Sequence, residues 1–363
     1  MARMPWLAGI ALTLLSACAG AAPPAASPPP ATPAASAPAG AAQPTSAPSP
    51  AGPRAQLSLI YPTQSAVNSP WQLAQDQGIW QQNGLDVDMA YAPTNIVPTA
   101  LMQGQAQVIG LGCGEIGLAV VGGADIFQVF AMPNPRMLYM IVVRQGITRL
   151  EDLRGQRLAM NRPGSSPYVA AKLIFGRVGI DPEQEVQYVT MGGTPERVAA
   201  LLGGSVDAAI LSSDEGVMVA AQPGLQTVVD MSKENVPYCT YGLATSRDYA
   251  RDHPELVGRF TKAVVEAIAR YKLDRDASIA AVGHFLNQTD AQKNATSRDI
   301  WAQLFPAKPY ADRQAMQLSL DQAGETDPRV RALDPEALID DRWIRELDTS
   351  GYIDGLYGGA APP

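Results

Sequence analysis

A strand–loop–helix unit occurs twice in succession in the middle of the chain, and it constrains the fold more than any other feature. The first copy opens with an apolar strand over 157–161 and its helix is predicted to stop at Gly179. The second opens with a strand over 186–189, stops at Gly203-Gly204, and leads into a third strand over 206–211. This βαβαβ order predicts a parallel sheet with helices on its faces.

The loops of this unit are suited to binding a ligand. In sheets of this kind, ligands bind beyond the carboxyl ends of the strands, against helix N-termini. Both strand-to-helix loops are rich in Gly, Ser and Thr, and Ser166 is predicted to cap the helix that begins at Pro167. We expect an anionic group to find free backbone N–H groups here, although a serine at this place also serves as a plain helix cap.

An earlier part of the chain repeats the pattern. Strands are predicted over 57–61, 85–89 and 108–111, with a helix over 97–103 before the last of them. After that strand, the residues 112–115 (Gly-Cys-Gly-Glu) take the place that 212–215 (Ser-Ser-Asp-Glu) take in the later unit. Any two βαβ units share such features, yet two similar lobes facing each other across a cleft are the simplest interpretation.

The lobes are expected to be joined by two crossings. A proline-containing break at 132–135 precedes an apolar strand over 138–143, and the chain is predicted to return near 238–244. Lobe II would then comprise 133–240, inserted into a lobe I made of 55–132 and 241–363, so that the cleft closes by a hinge motion. The later helices are expected to pack on the surface of lobe I or to form a strap across its back, over 254–271, 276–285, 297–304, 312–322 and 335–349.

The N-terminus is predicted to be a targeting segment. Arg3 and an apolar run over 7–15 precede Leu15-Ser16-Ala17-Cys18, which resembles a bacterial lipobox. Residues 1–17 would be a lipoprotein signal peptide and Cys18 the lipidated residue; an ordinary secretory signal with a cysteine there by chance is the alternative. Residues 18–54 are almost entirely Ala, Pro, Ser, Gly and Thr, which predicts a disordered tether. The protein would thus be extracytoplasmic and lipid-anchored to a bacterial membrane, in the periplasm or at the cell surface.

Composition excludes some partners. The 363 residues are 46% hydrophobic and 17% charged, enough for two packed lobes. The net charge of −8 argues against nucleic acid or an anionic membrane surface as a partner.

Several short segments, in their order and spacing, resemble a known family. They are Pro70-Trp71, Leu73-Ala74-Gln75-Asp76-Gln77-Gly78, Gly84-Leu85-Asp86-Val87, Asp152-Leu153-Arg154-Gly155, Gly164-Ser165-Ser166, Val206-Asp207-Ala208-Ala209 and the run 249–260. Together they are similar to the solute-binding proteins of ABC importers for sulfonates, nitrate, taurine and thiamine-precursor pyrimidines (SsuA/NMT-like). The likeness covers nearly all of 57–357.

The resemblance implies an α/β fold of the type II periplasmic-binding-protein class, with two Rossmann-like lobes, a hinge and a ligand cleft between them. It also implies a monomer without a cofactor that delivers its ligand to an ABC permease. By analogy of position, the ligand-binding residues would be Thr63, Gln64, Ser65, Cys113, Gly114 and Glu115 in lobe I, and Asn161, Gly164, Ser165, Ser166, Gly193, Thr194, Ser213 and Asp214 in lobe II.

Two of these residues bear on the charge of the ligand. Glu115 and Asp214 would repel a sulfonate and accept hydrogen bonds from an amine or amino-heterocycle, unless they face solvent or cap helices. Arg162 could rebalance the site. A small nitrogenous or aromatic solute is therefore favoured over a sulfonate, with a nitrate-like anion, a pyrimidine or another amino compound left open.

Catalysis finds little support in the sequence. The two histidines, His253 and His284, lie in no ligand-spaced cluster, so neither a metal site nor a catalytic residue is predicted. Pyrimidine-precursor synthases share the implied fold but are recognised partly by a cysteine-rich motif that is absent here. A synthase-like enzyme and a sensory binding module remain the alternatives. Cys113 and Cys239 are expected either to form a disulfide near the hinge or to be small buried hydrophobes.

Overall fold

The computed structural model describes residues 53–131, 137–161, 165–191, 194–234 and 238–359. They form two lobes, each built on a five-stranded sheet. The sheet of lobe I contains β1 (Ala55–Tyr61), β2 (Leu85–Tyr91), β3 (Val108–Leu111), β4 (Ile126–Ala131) and β10 (Gly242–Ser246). The sheet of lobe II contains β5 (Tyr139–Arg144), β6 (Arg157–Met160), β7 (Gln187–Thr190), β8 (Ala208–Ser212) and β9 (Leu225–Asp230).

The two sheets have the same topology. Lobe I has the strand order β2-β1-β3-β10-β4 and lobe II the order β7-β6-β8-β5-β9. In each, three strands are parallel, and the fourth position is held by an antiparallel strand that follows a crossing between lobes. The strands predicted at 157–161, 186–189 and 206–211 are β6, β7 and β8, and they pair in parallel as predicted. Strands β5 and β10 are antiparallel to their neighbours, because they enter their sheets from the other lobe.

Helices cover both sheets. Those that alternate with the strands are α1 (Ser69–Asp76), α2 (Ile79–Gln82), α3 (Val97–Met102) and α4 (Cys113–Val121) in lobe I, and α5 (Ser166–Gly176), α6 (Pro182–Glu185), α7 (Thr194–Leu202) and α8 (Ser213–Ala220) in lobe II. After β10 the chain adds α9 (Arg247–Asp252), α10 (Pro254–Leu273), α11 (Arg275–Leu286), α12 (Ala291–Leu304), α13 (Arg313–Ala323), α14 (Arg342–Thr349) and α15 (Tyr352–Leu356) to lobe I.

The longest helix, α10, shows how the sequence builds the core of lobe I. Its apolar residues Phe260, Val264 and Ile268 recur at helical spacing and are fully or almost fully buried. The ring of Phe260 stacks on that of Trp80, with 5.4 Å between centroids. Each such side chain contributes about 1.5–3 kcal/mol of hydrophobic stabilisation, so this stripe anchors the C-terminal half of the chain to the sheet of lobe I.

Several predicted helix boundaries are wrong. The N-cap of α5 is Ser165, and Ser166 is its first helical residue. Helix α12 begins six residues earlier than predicted, because the Asp290 carboxylate caps it by accepting from the backbone N–H groups of residues 292 and 293. The predicted helix over 335–349 is interrupted, since Ile339 forms a β-bridge with Gln128 and the N–H of residue 340 donates to the Gln128 carbonyl.

The predicted signal peptide, the lipidation site Cys18 and nearly all of the tether lie outside the described residues, as does the predicted break at 132–135. Among the helices that are described, none combines the length and the apolar character needed to cross a membrane.

Candidate functional site: the cleft between the lobes

A cavity of about 1110 Å³ lies between the two lobes. Lobe I contributes the loop after β1, the start of α4, and residues of α11 and α12. Lobe II contributes the start of β5, the N-terminal parts of α5 and α7, and helix α8. The cavity therefore lies at the carboxyl ends of the parallel strands of both sheets, and it has room for a small organic molecule.

The structure brings eight of the predicted site residues together in the wall of this cavity: Thr63, Gln64, Ser65, Glu115, Asn161, Ser165, Ser166 and Asp214. Gly164 and Gly193 lie outside the described residues, and of Thr194 only the backbone, at the start of α7, is described. The remaining three, Cys113, Gly114 and Ser213, do not line the cavity.

These three residues face the protein interior instead. Cys113 is fully buried and forms a disulfide with Cys239. Gly114 faces α13, where an added Cβ would lie 3.0 Å from the carbonyl oxygen of Ser319. Ser213 is buried as well. The first residue of a helix need not face the ligand side of its strand, and position after a strand alone could not reveal this.

Glu115 caps its own helix. Its Oε2 accepts from the backbone N–H of Gly112 at 2.9 Å and so caps the start of α4. At the equivalent place in lobe II, the hydroxyl of Ser212 donates to Glu215. The alternative that Glu115 is a helix cap is thus what the structure shows, although the side chain still lines the cavity.

A group of hydroxyls lies where the crossings pass the cavity. Ser166 is hydrogen-bonded to the hydroxyls of Tyr139 and Tyr238, one on each crossing segment. Burial, reinforced by the negative charge of Glu115, raises the pKa of both tyrosines above the ordinary value. Both phenols therefore keep their protons at neutral pH and can serve as hydrogen-bond donors.

Arg197 is a cavity residue that the sequence analysis missed. It lies on α7, is 4% exposed, and donates from Nε to the carbonyl oxygen of Ile210 at 2.9 Å. Burial lowers the pKa of its guanidinium, and the charge of Glu215 opposes that shift. Arginine keeps its charge in such a setting. Sequence reasoning chose Arg162 for this role, and Arg162 lies outside the described residues.

Helices α11 and α12 supply a further part of the wall. Phe285 at the end of α11 packs against Tyr61, with 5.3 Å between ring centroids, and Tyr61 also lies 6.4 Å from Tyr91. These three rings form an aromatic wall, and Trp301 of α12 lines the same cavity. Both helices pack on lobe I as predicted, and both also reach the cleft, which was not predicted from the sequence.

Asp214 connects the lobes. It is 2% exposed, and its Oδ2 accepts from the hydroxyl of Ser297 at 3.0 Å. Because Asp214 lies on α8 of lobe II and Ser297 on α12 of lobe I, this hydrogen bond crosses the cleft, where the two helices pack together.

Acidic side chains outnumber basic ones in the described wall. The carboxylates are Glu115, Glu196, Asp214 and Glu215, and the cations are Arg197 and Lys293. Within the described residues, no group of three or more His, Cys, Asp or Glu side chains is placed to hold a metal ion.

Residues 67–274, more than half of the chain, match the family model for NMT1/THI5-like proteins. The chain belongs to this family. A protein of Brucella abortus that carries the provisional name of a binding protein is 22% identical over 246 residues, covering 63% of this chain and 73% of its own length.

Solved structures show the same architecture. A protein from Bordetella bronchiseptica RB50 superposes with a TM-score of 0.69 at 17% identity, covering 84% of this chain and 98% of that one. The periplasmic aliphatic sulphonate binding protein SsuA of Escherichia coli gives 0.65 at 18% identity, covering 78% and 92%. The alkanesulfonate-binding protein SsuA of Xanthomonas axonopodis pv. citri, bound to MOPS, gives 0.60 at 18%, covering 82% and 98%. The predicted family resemblance and the predicted periplasmic-binding-protein fold are confirmed.

Proposed function

We propose that this NMT1/THI5-like protein is an extracytoplasmic solute-binding protein that captures a small organic molecule and delivers it to an ABC importer. The observation that carries the proposal is the cavity of about 1110 Å³ between two lobes of identical topology. Two crossings join the lobes, an arrangement that allows hinge closure around a guest. The names of the SsuA structures, which describe sulfonate-binding proteins, support a binding role.

The ligand contacts come from the loops at the strand ends. We assign this role to the eight predicted residues that line the cavity. We also keep Gly164, Gly193 and Thr194 in the proposal, because they belong to the two Gly-, Ser- and Thr-rich strand-to-helix loops of lobe II. Binding by several neutral donors and acceptors, an aromatic wall and two cations is compatible with a range of small polar solutes. The proposal includes no catalytic step and no cofactor.

The location follows from the lipobox-like segment that ends at Cys18. We propose that a lipid on Cys18 holds the protein at a bacterial membrane and that residues 18–54 act as the tether. The two lobes, held at the membrane by this tether, can bind a solute and still reach a permease in the same membrane.

A thermal-shift screen against sulfonates, pyrimidines, aromatic acids and amines tests the proposal. A ligand at a hundred times its dissociation constant adds about 2.7 kcal/mol to the free energy of unfolding, which shifts the melting temperature by several degrees. Small-angle scattering with and without the compound then tests for closure. The proposal is lost if no compound in these classes raises the melting temperature, or if a binding compound is turned over to a product.

A further inference from the structure

The carboxylate of Asp214 is only half satisfied. Its Oδ2 accepts from Ser297, but its Oδ1 is buried and has no hydrogen-bond partner among the described residues. Buried polar atoms of native proteins almost always have partners, and an ionised carboxylate needs them most. Asp214 lines the cavity, and its unused oxygen lies in the cavity wall, where a ligand can meet it once the side chain or its neighbours shift.

Trp301 presents the complementary feature. Its side chain is 4% exposed and lines the same cavity, and its indole Nε1 is buried without an acceptor among the described residues. Ser297 and Trp301 are four residues apart on α12, so they lie on one face of that helix. That face packs toward α8, which carries Asp214. The cleft thus holds an acceptor that lacks a donor and, on the helix opposite, a donor that lacks an acceptor.

The cations of the described wall do not neutralise Asp214. Arg197 donates to the Ile210 carbonyl, and its charge is balanced by Glu215. Lys293 is exposed and lies 3.8 Å from Asp290. Among the described residues, Asp214 forms no ion pair, and buried Arg298, next to Ser297 on α12, pairs with Asp299. The carboxylate of Asp214 therefore lines the cavity without a salt-bridge partner in the described part of the protein.

We infer that Asp214 and Trp301 together recognise a cationic nitrogenous solute, such as an amine, an amidine or a protonated amino-heterocycle. The inference rests on the proposed function above, since it assigns a ligand class to the same cleft. An N–H of the ligand donates to Asp214 Oδ1, and a hydrogen-bond acceptor elsewhere on the ligand receives the Trp301 N–H. The aromatic wall of Tyr61, Tyr91 and Phe285 suits a planar or cationic group.

The two proposed recognition residues lie on opposite lobes, so a ligand that contacts both affects closure of the cleft. Asp214 belongs to lobe II and Trp301 to lobe I. A ligand bound to both bridges the lobes beside the Asp214–Ser297 hydrogen bond, so recognition and closure use the same place.

The test is a calorimetric titration with sets of probes that share a skeleton and differ in charge. Benzamidine, benzamide and benzoate form one set, and butylamine, butanol and butanesulfonate form another. An aminopyridine completes the panel, in which butanesulfonate is the sulfonate and benzoate the carboxylate. We expect the cations to bind at least tenfold more tightly than the anions of the same skeleton, with the neutral compounds between them.

Variants locate the effect. Asp214→Asn keeps an acceptor for Ser297 and removes the charge, and we expect it to weaken binding of the cationic probes at least tenfold. Asp276→Asn makes the same change in the exposed first turn of α11, outside the cavity, and should leave affinity within twofold. Trp301→Phe keeps an aromatic ring and removes the N–H. It should therefore weaken binding of benzamide and butanol, which carry a hydrogen-bond acceptor, more than binding of butylamine, which carries none.

The outcomes separate the two proposals. Tight binding of sulfonates or carboxylates, with cations excluded, overturns this inference and leaves the solute-binding function in place. Equal loss of affinity in Asp214→Asn and Asp276→Asn also overturns it. Failure of every probe, whatever its charge, counts against the proposed function itself. Circular dichroism of the ligand-free variants checks their folding, and the charge preference of the unmodified protein decides the matter if a variant does not fold.

Discussion

Cys239, on the segment that returns from lobe II to lobe I, is joined by a disulfide to Cys113, the first residue of α4. Their Cα atoms are 5.5 Å apart, and the backbone N–H of Cys113 also donates to the carbonyl oxygen of Cys239 at 3.2 Å. The bond spans 126 residues of sequence and so encloses lobe II. One crossing is thereby fastened to lobe I next to Thr240 and Tyr241, which line the cavity.

This disulfide should be a major source of stability. A cross-link that closes a loop of more than a hundred residues stabilises a protein by about 2–5 kcal/mol. We expect the double variant Cys113→Ser, Cys239→Ser to lose that amount in the free energy of unfolding, measured by urea denaturation. Dithiothreitol should destabilise the unmodified protein and leave the double variant unchanged. An unmodified protein that unfolds alike with and without the reductant would contradict this prediction.

A second contact across the lobes is an ion pair. Lys172 Nζ on α5 of lobe II lies 2.5 Å from Glu325 Oε2 of lobe I, and 3.5 Å from Glu183 Oε1 of its own lobe. Partly exposed ion pairs contribute about 0.2–1 kcal/mol. If this pair favours the closed cleft, Glu325→Gln should weaken ligand binding by up to about fivefold and raise the radius of gyration in small-angle scattering.

The matched control for that experiment is Glu183→Gln. It removes a partner of Lys172 within lobe II but leaves the pair between lobes intact, so affinity and radius of gyration should stay unchanged. Equal effects of the two variants would show that the pair acts within lobe II and not on closure.

Gly110 of β3 leaves room for a cavity residue. An added Cβ would lie 2.8 Å from Cε2 of Tyr241 and closer still to its hydroxyl, which donates to Asn68 Oδ1 at 2.8 Å. We expect Gly110→Ala to displace the tyrosine and to lower the free energy of unfolding by about 1–3 kcal/mol, because overpacking and the lost hydrogen bond both act. Affinity for the ligand should fall too.

Gly176→Ala provides the comparison, and the free energy of unfolding of both variants is measured by thermal and urea denaturation. Gly176 ends α5, has no atoms within 4 Å of an added Cβ and is exposed, so the change should be neutral or stabilising by up to about 1 kcal/mol. If Gly110→Ala proves as mild as Gly176→Ala, Tyr241 has more freedom than its contacts indicate.

The strands and the lobe pairing could be predicted because their signals are local. Glycines at the predicted helix stops, such as Gly179 and Gly204, adopt positive φ angles, which glycine tolerates best. The order of strand, loop and helix then fixes which strand ends meet at the cleft. That is why the loops at 63–65 and 165–166 were placed correctly from the sequence.

The rest of the site depends on tertiary placement. Ser297 and Trp301 lie on a helix without a clear apolar stripe, and nothing local indicates that α12 reaches the cleft. Cys113 illustrates the opposite error: its position after β3 pointed to the ligand, whereas its partner is 126 residues away. Arg197 lies inside a helix, where sequence patterns do not distinguish a buried cation from a solvated one.

The proposed lipid anchor gives a prediction on location. Replacing Cys18 by serine removes the thiol that would be acylated, and each buried methylene of a lipid chain contributes about 0.8 kcal/mol to membrane binding. We expect the unmodified protein in the membrane fraction and Cys18→Ser in the soluble extracytoplasmic fraction, with equal ligand affinity. Metabolic labelling with a radioactive fatty acid provides the second readout. Labelling of the serine variant would place the lipid elsewhere.

Asp207 should make lobe II sensitive to acid. Its carboxylate accepts from the Arg157 side chain at 2.8 and 2.9 Å and from the backbone N–H of Arg157 at 3.0 Å. These hydrogen bonds, those of the side chain above all, hold the pKa of Asp207 below its usual range. Since the pKa is lower in the folded state than in the unfolded chain, the stabilisation is complete above the unfolded pKa of about 3.9 and is lost as pH falls through the folded pKa.

Asp207→Asn should therefore cost about 1–2 kcal/mol at pH 7, because the carboxylate is partly exposed and its charged hydrogen bonds are only in part screened. The difference in the free energy of unfolding between this variant and the unmodified protein should shrink as pH falls below 4. Urea denaturation at a series of pH values from 7 to 2.5 measures it. Asp252, which pairs with its exposed neighbour Arg251, is the control, and Asp252→Asn should have a clearly smaller effect. A difference for Asp207→Asn that stays constant over this range would mean that packing, and not the charge of the carboxylate, stabilises lobe II at this position.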